Sequence, residues 1–238
     1  MSIISRRCFP WQGQGRTSHF FLGSERRQAW FVLGAVLVAA VTSYAPGLQG
    51  WFAFDDSTNL VENNALKTAK ISWQGAWQAM WSVNAGPLGR PLAMLSFWAN
   101  VITTGMNPFW FKLTNLAIHG TNALLVYGLV EKLAAVRGQA RAHRLALLAT
   151  ALFLLHPLQL TSVLYVVQRM TSLSVTFVLI GLWWYVALRS RWKQDPRVVL
   201  ALQAMAVLGL AAILAALTKE NGVLVVLYAL VLDMTLLQ

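Results

Sequence analysis

Acidic residues are scarce in this sequence. Eight Asp and Glu stand against nineteen Lys and Arg in 238 residues, a formal net charge of +11. Charge of either sign is thin, at 11% of residues, where a soluble domain carries about 25%. That shortage excludes an ordinary water-facing surface over most of the chain. Cysteine is nearly absent, and the lone Cys8 can form no internal disulfide. Ligand spacing for a metal is lacking around His119, which has no second His or carboxylate at a suitable distance along the chain. No internal repeat or low-complexity tract is evident.

What the chain has instead is apolar sequence, 57% of all residues. The runs cover roughly 29–46, 91–105, 108–135, 145–157, 163–188, 198–217 and 223–238. A spanning helix needs about 20 such residues. The fold class is therefore all-α, a polytopic helical membrane protein with about six spans. A basic excess in a soluble protein would suggest nucleic acid. Here the basic residues cluster between apolar runs, as membrane orientation requires, so no nucleic-acid partner is expected and the bilayer is.

Residues 1–28 read as a flexible basic cytoplasmic tail. Its "SRRCF" resembles a twin-arginine signal, but the apolar stretch starts too far downstream, and Pro46 spoils a cleavage site after Ala45. Residues 29–238 read as the membrane domain. With the tail inside, residues 47–110 form a long outer loop, the hairpin 145–188 turns outside near His156 and Pro157, and 198–217 leads out to "TKENG". Thirteen of the nineteen Lys and Arg then face the cytoplasm. Letting 91–105 span would put "RGQARAHR" and "RSRWKQDPR" outside, so that segment is expected along the outer surface. Trp73, Trp77 and Trp81 recur at spacing four, which suits an interfacial helix; a buried aromatic face in a loop domain is the alternative. The final apolar segment stops at Gln238, sixteen residues on from Val223, and the chain is expected to be the front part of a longer one.

Several polar residues lie where polarity is costly. Lys112, Asn115, His119 and Asn122 are spaced three, four and three apart, so they share one helical face. For the two asparagines, inter-helix hydrogen bonding explains the spacing better than substrate contact. Pro157 breaks the helix and places His156 at an outer bend. Arg169 either snorkels to headgroups or clamps a phosphate with its planar fork. Lys219 and Glu220 are an ion pair at a loop or part of a site, and Arg90 precedes the surface segment. For the adjacent pair Asp55–Asp56 two readings stand: Asp56 or Ser57 caps a short helix through "TNLVENNAL", or the pair supplies a general base at the membrane face, with cations opposite it to hold an anionic leaving group.

The motifs resemble a known group. "FAFDDSTNLVENNAL", "GRPLAMLSFWAN", "NPFWFKLTNLAIHGTNALL", "LLHPLQLTSVLYVVQRMTSLSVTFVL" and "TKENG" occur in an order similar to that of GT-C class membrane glycosyltransferases. The likeness points to the transmembrane O-mannosyltransferases with tetratricopeptide repeats and their bacterial relatives. That resemblance implies transfer of a sugar from a polyprenyl-phosphate carrier to a protein or glycan hydroxyl on the non-cytoplasmic face. Asp55 takes the place of the catalytic base. Asp56 takes that of a positioning partner or acceptor contact. Arg90, His156, Gln168, Arg169, Lys219 and Glu220 are the candidate substrate-side residues. The acceptor would be an exported or membrane protein, and the location a bacterial inner membrane. No cofactor is implied beyond the lipid-linked donor; a divalent metal serves some class members, but the Lys/Arg supply makes one dispensable. The family is longer than this chain, with more spans. A non-enzymatic membrane anchor and a flippase for a lipid-linked sugar stand as alternatives.

Overall fold

A computed structural model describes residues 17–83 and 86–237, with side chains from Arg27 onward. Among the described residues the regular structure is helical, with no strand. Ten α-helices follow one another: α1 (Thr17–Leu48), α2 (Asn64–Lys67), α3 (Trp73–Met80), α4 (Pro91–Thr104), α5 (Pro108–Val136), α6 (Ala142–Leu155), α7 (Leu160–Leu164), α8 (Arg169–Gln194), α9 (Val198–Ala216) and α10 (Val225–Thr235). Arg27–Leu48, Pro108–Val136, Val166–Gln194 and Val198–Ala216 are long and apolar enough to cross a membrane. Helix α6 and the segment Pro157–Leu164 supply a fifth if the pair counts as one span, bent by 53°. Pro157 causes the bend, since it cannot continue the backbone hydrogen-bond ladder. The last predicted span, 223–238, forms the shorter helix α10 of 11 residues.

Helix α1 begins at Thr17. The stretch 17–28, expected as part of a flexible tail, is thus helical where it is described, and residues 1–16 lie outside the described residues. Segment 91–105 forms the 14-residue helix α4, which is not among the helices long enough to span. It buries Ala93, Met94, Phe97 and Asn100 on one face.

The short helices of the first loop are set by local caps. Asn63 accepts from the backbone of Ala65 and Leu66, Ser72 from Gly75, and Asn107 from Phe109 at the start of α5. Three apolar clusters hold the whole together. One joins Leu60, Leu66, Met94, Phe97 and Phe111 beneath the first loop. A second joins α1, α5 and α6 around Ala40, Leu116 and Leu154. The third joins α5, α8 and α10 around Leu129, Val186 and Val225.

The bundle has two chemically distinct ends. At one, the first loop meets the α6–α8 bend and the α9–α10 turn: Leu92 N–H donates to Leu217 C=O at 3.1 Å. At the other lie the α5–α6 and α8–α9 turns, with Arg137, Arg141, Arg144, Arg191, Lys193 and Arg197.

Candidate active site

The site begins with two adjacent aspartates in opposite environments. Asp56 is fully buried. Its Oδ2 accepts from Ala53 N–H at 3.1 Å and Val166 N–H at 3.3 Å, and its Oδ1 from Val167 N–H at 2.7 Å. It therefore ties the first loop to the segment before α8. Asp56 makes no side-chain cap to the turn that follows it. The capping expected of Asp56 is not found, because its carboxylate is committed to a segment 110 residues away. Burial pushes the Asp56 carboxyl above the usual aspartate range, against the pull of the three backbone N–H groups and the Lys112 charge.

Asp55 is exposed. Its backbone N–H donates to the Tyr165 hydroxyl at 3.1 Å, and its carbonyl accepts from Asn59 Nδ2 at 2.9 Å. Phe54, at φ 48°, sits edge-on to the Tyr165 ring. The left-handed turn at Phe54 and the Asp56 clamp together fix the main chain on either side of Asp55. Its side chain is exposed, beside the Tyr165 hydroxyl.

A cation cluster lies along the same α8 entry. Arg90 forms an ion pair with Glu220, Nε to Oε1 and Nη2 to Oε2 both at 3.3 Å, while Nη1 lies 3.3 Å from the Met170 sulfur. Lys219 Nζ donates to Thr171 Oγ1 at 2.7 Å, and the Thr171 hydroxyl donates to Gln168 Oε1 at 2.9 Å. Burial lowers the Lys219 ammonium below the usual lysine range, and the neighbouring Arg90 adds to this. Burial alone would raise Glu220. Its own backbone N–H and the Arg90 guanidinium outweigh that, and the carboxyl lies below the usual glutamate range. The left-handed backbone of Gly86 passes so close to Glu220 that a Cβ there would overlap Oε1.

Four predicted residues, Arg90, Gln168, Lys219 and Glu220, are thus brought together. Thr171, which the sequence reading missed, connects two of them. Its signal was spacing, three residues past Gln168 on the helix bearing the motif.

Arg169 is a correction. It neither snorkels nor faces a site for phosphate, being fully buried. Its guanidinium donates to Asn115 Oδ1 (2.7 Å), Asn100 Oδ1 (2.6 Å), Ser96 C=O (3.1 Å) and Phe111 C=O (2.8 Å). It also lies over the Phe97 and Phe111 rings, 4.6 and 5.4 Å from their centroids. This side chain locks α4, α5 and α8 together. His156 is likewise apart from the cluster in its contacts: it is exposed, and its Nδ1 caps the turn at Leu158 N–H, 3.2 Å away. Among the described residues no three His, Cys, Asp or Glu side chains gather as metal ligands.

The polar stripe on α5 is buried and bonded between helices. Lys112 Nζ donates to the carbonyls of Gly47, Gly50 and Trp51 at the end of α1. Asn115 donates to the carbonyls around 163–166, His119 Nε2 lies 3.3 Å from Leu154 O, and Asn122 bridges Ser172 and Thr176.

Comparison with known proteins adds a class to this geometry, that of multi-pass helical membrane proteins similar to protein O-mannosyl-transferases. The chain is 30% identical over 150 residues to protein O-mannosyl-transferase TMTC1 of Homo sapiens, a match over 60% of this chain and 16% of that protein. It is 30% identical over 166 residues to protein O-mannosyl-transferase TMTC4 of Homo sapiens, covering 64% of this chain and 22% of that one. The Mus musculus TMTC4 protein is 31% identical over 152 residues, or 58% and 20% of the two chains. The resemblance read from the motifs thus holds, and the chain spans about a fifth of the length of these relatives. No family model matches the chain, and no solved structure does.

Proposed function

We propose that this chain forms the donor- and base-bearing part of a membrane glycosyltransferase that moves a sugar from a polyprenyl-phosphate carrier to a protein hydroxyl. The observation that carries the reading is the sorting of the two aspartates. Asp55 presents an exposed carboxylate on a main chain pinned by buried Asp56, and Arg90 and Lys219 lie along the entry of the helix that Asp56 grips. The names of the relatives support the same class.

In this reading Asp55 takes the proton from the acceptor hydroxyl. The oxygen bonds to the anomeric carbon as the carbon–phosphate oxygen bond breaks, and the electron pair leaves on the carrier phosphate. Arg90 and Lys219 receive that anion. In the structure Glu220 neutralises Arg90, so the arriving phosphate either competes with Glu220 or uses Arg90's remaining donors. Asp56 is committed to three backbone donors and is no nucleophile. One working carboxylate implies a single displacement, with inversion at the anomeric carbon. The site faces the non-cytoplasmic side, opposite the basic end.

The test is transfer from a synthetic polyprenyl-phosphate mannose to an acceptor peptide by the full-length protein. Asp55→Asn should abolish both peptide glycosylation and the slow loss of sugar to water. Arg90→Gln and Lys219→Gln should chiefly weaken the carrier. Retained transfer in Asp55→Asn overturns the assignment of the base. A chain that moves intact lipid-linked sugar across vesicles without cleaving it would instead be a flippase.

A further inference from the structure

At the basic end, away from the site above, a cavity of about 310 Å³ opens between α1 and α6. Gln28, Ala29 and Val32 line it from α1; Arg141, His143, Arg144 and Leu147 line it from the start of α6. The lining is graded. Arg141, His143 and Arg144 sit at the start of α6 with Gln28 of α1 facing them, while Val32 and Leu147 lie about one turn further into the bundle. His143 is held from the α5 side, with Nδ1 2.9 Å from Glu131 Oε1 and 3.2 Å from the Tyr127 hydroxyl.

We propose that this cavity binds the phosphate headgroup of an anionic phospholipid, with an acyl chain running down the α1–α6 groove. A phospholipid carries the same gradient along its length, a charged head at the boundary and hydrocarbon below. Arg141 and Arg144 match phosphate oxygens through planar forks. Basic pockets between helices at one membrane face suit anionic headgroups. The surrounding surface is already lipid-like: Phe31 is 80% exposed, Leu148 59% and Trp30 53%, next to the cavity on the same two helices. Tryptophan at that level marks the boundary between hydrocarbon and headgroups. Inorganic phosphate would satisfy the guanidinium groups but leave the Val32–Leu147 wall uncovered.

Native mass spectrometry of the full chain in detergent tests this, with phosphatidylglycerol as probe and phosphatidylcholine of the same acyl chains as comparison. One phosphatidylglycerol should be retained per chain, in preference to phosphatidylcholine. Arg141→Gln with Arg144→Gln should weaken retention about tenfold, as loss of charge-assisted phosphate contacts does. Arg141→Lys with Arg144→Lys should be intermediate. Arg191→Gln with Lys193→Gln, at the same end but outside the cavity, should leave retention unchanged. Val32→Asn, which keeps every charge, should weaken it as well. If Arg141→Gln with Arg144→Gln unfolds, Val32→Asn and the Arg→Lys double variant decide. Equal retention in the cavity variants overturns the site. An equal loss in the Arg191/Lys193 variant reduces it to diffuse surface charge. Competition by inorganic phosphate as strong as by lipid makes it a free-anion site and overturns the lipid assignment.

Discussion

Asp55 and Asp56 differ by one position and by everything around them. Asp55→Asn should lower transfer at least ~100-fold, the usual scale for a lost general base, and leave the melting temperature in detergent unchanged. Asp56→Asn should instead cost about 1–3 kcal/mol, because an amide nitrogen then faces backbone donors that lose their acceptor. Its activity loss should follow the fraction unfolded. The pH dependence separates the two further. Burial raises the Asp56 carboxyl in the folded chain above its unfolded value. The group's contribution to stability is therefore complete below the ordinary aspartate pKa and is lost as pH rises through the raised value. Asp56→Asn should flatten that part of the stability curve in denaturant titrations, and Asp55→Asn should leave it alone. Arg169→Gln belongs to the same scale. It removes the donors that satisfy four acceptors around a fully buried site and should destabilise by about 3–5 kcal/mol, measured by thermal melting. A catalytic assay of that variant reads folding, not phosphate binding. The sequence placed Arg169 beside the right segments but could not show which way it points. Its partners, Asn100, Ser96, Phe111 and Asn115, come from two other helices at separations of 54 to 73 residues.

At the scale of the element, helix α8 does the most organising. It carries the Asp56 clamp at its entry, the Thr171–Lys219 link one turn on, and a close approach to α9 below. A Cβ at Gly181 would lie 2.5 Å from Ala211 Cβ, so the two helices meet where both side chains are minimal. Gly181→Val should therefore cost roughly 1–3 kcal/mol by overpacking. The same change at Gly209, where nothing lies within 4 Å of a Cβ, should be near neutral. Paired melting curves check this, and equal effects at the two glycines would remove the close approach as the cause. Helix existence was legible here because apolar runs of this length leave few alternatives. The bend at Pro157 was legible too, from the proline itself, and α4 is a helix of 14 residues where an apolar segment was read. The α5 stripe was legible as a face and as inter-helix bonding. Its particular partners were not, since Lys112 reaches carbonyls at the end of α1 that no local pattern marks. The network of Arg90, Gln168, Thr171, Lys219 and Glu220 was visible only as scattered members. Bringing position 90 to position 220 requires the packing of α4 against the α9–α10 turn.

Over the whole molecule, the two ends carry different chemistry and must face different compartments if the helices cross a bilayer. The loop end holds Asp55 and the Arg90–Glu220 pair, and an exposed tryptophan row: Trp73, Trp77 and Trp81 are 73%, 50% and 49% exposed, with successive ring centroids 6.1 and 5.8 Å apart. Exposed rings at that end suit a helix resting in the headgroup layer. The other end holds the two basic turns, which resist translocation and favour the cytoplasmic side. Cysteine accessibility tests the assignment directly, because replacing Cys8, the one cysteine among these 238 residues, with serine leaves this chain without a thiol. Ile71→Cys, at a residue 82% exposed in the first loop, should react with an impermeant maleimide in intact cells. Gln139→Cys, in the exposed α5–α6 turn, should react only after permeabilisation. The reverse pattern would place the Asp55 carboxylate in the cytoplasm. A carrier-linked sugar on the outer leaflet could not then reach it, and the donor would have to be one presented from within the cell. Labelling of both sites in intact cells would mean that the turns do not lie on opposite sides, and the four long helices would need another arrangement in the membrane.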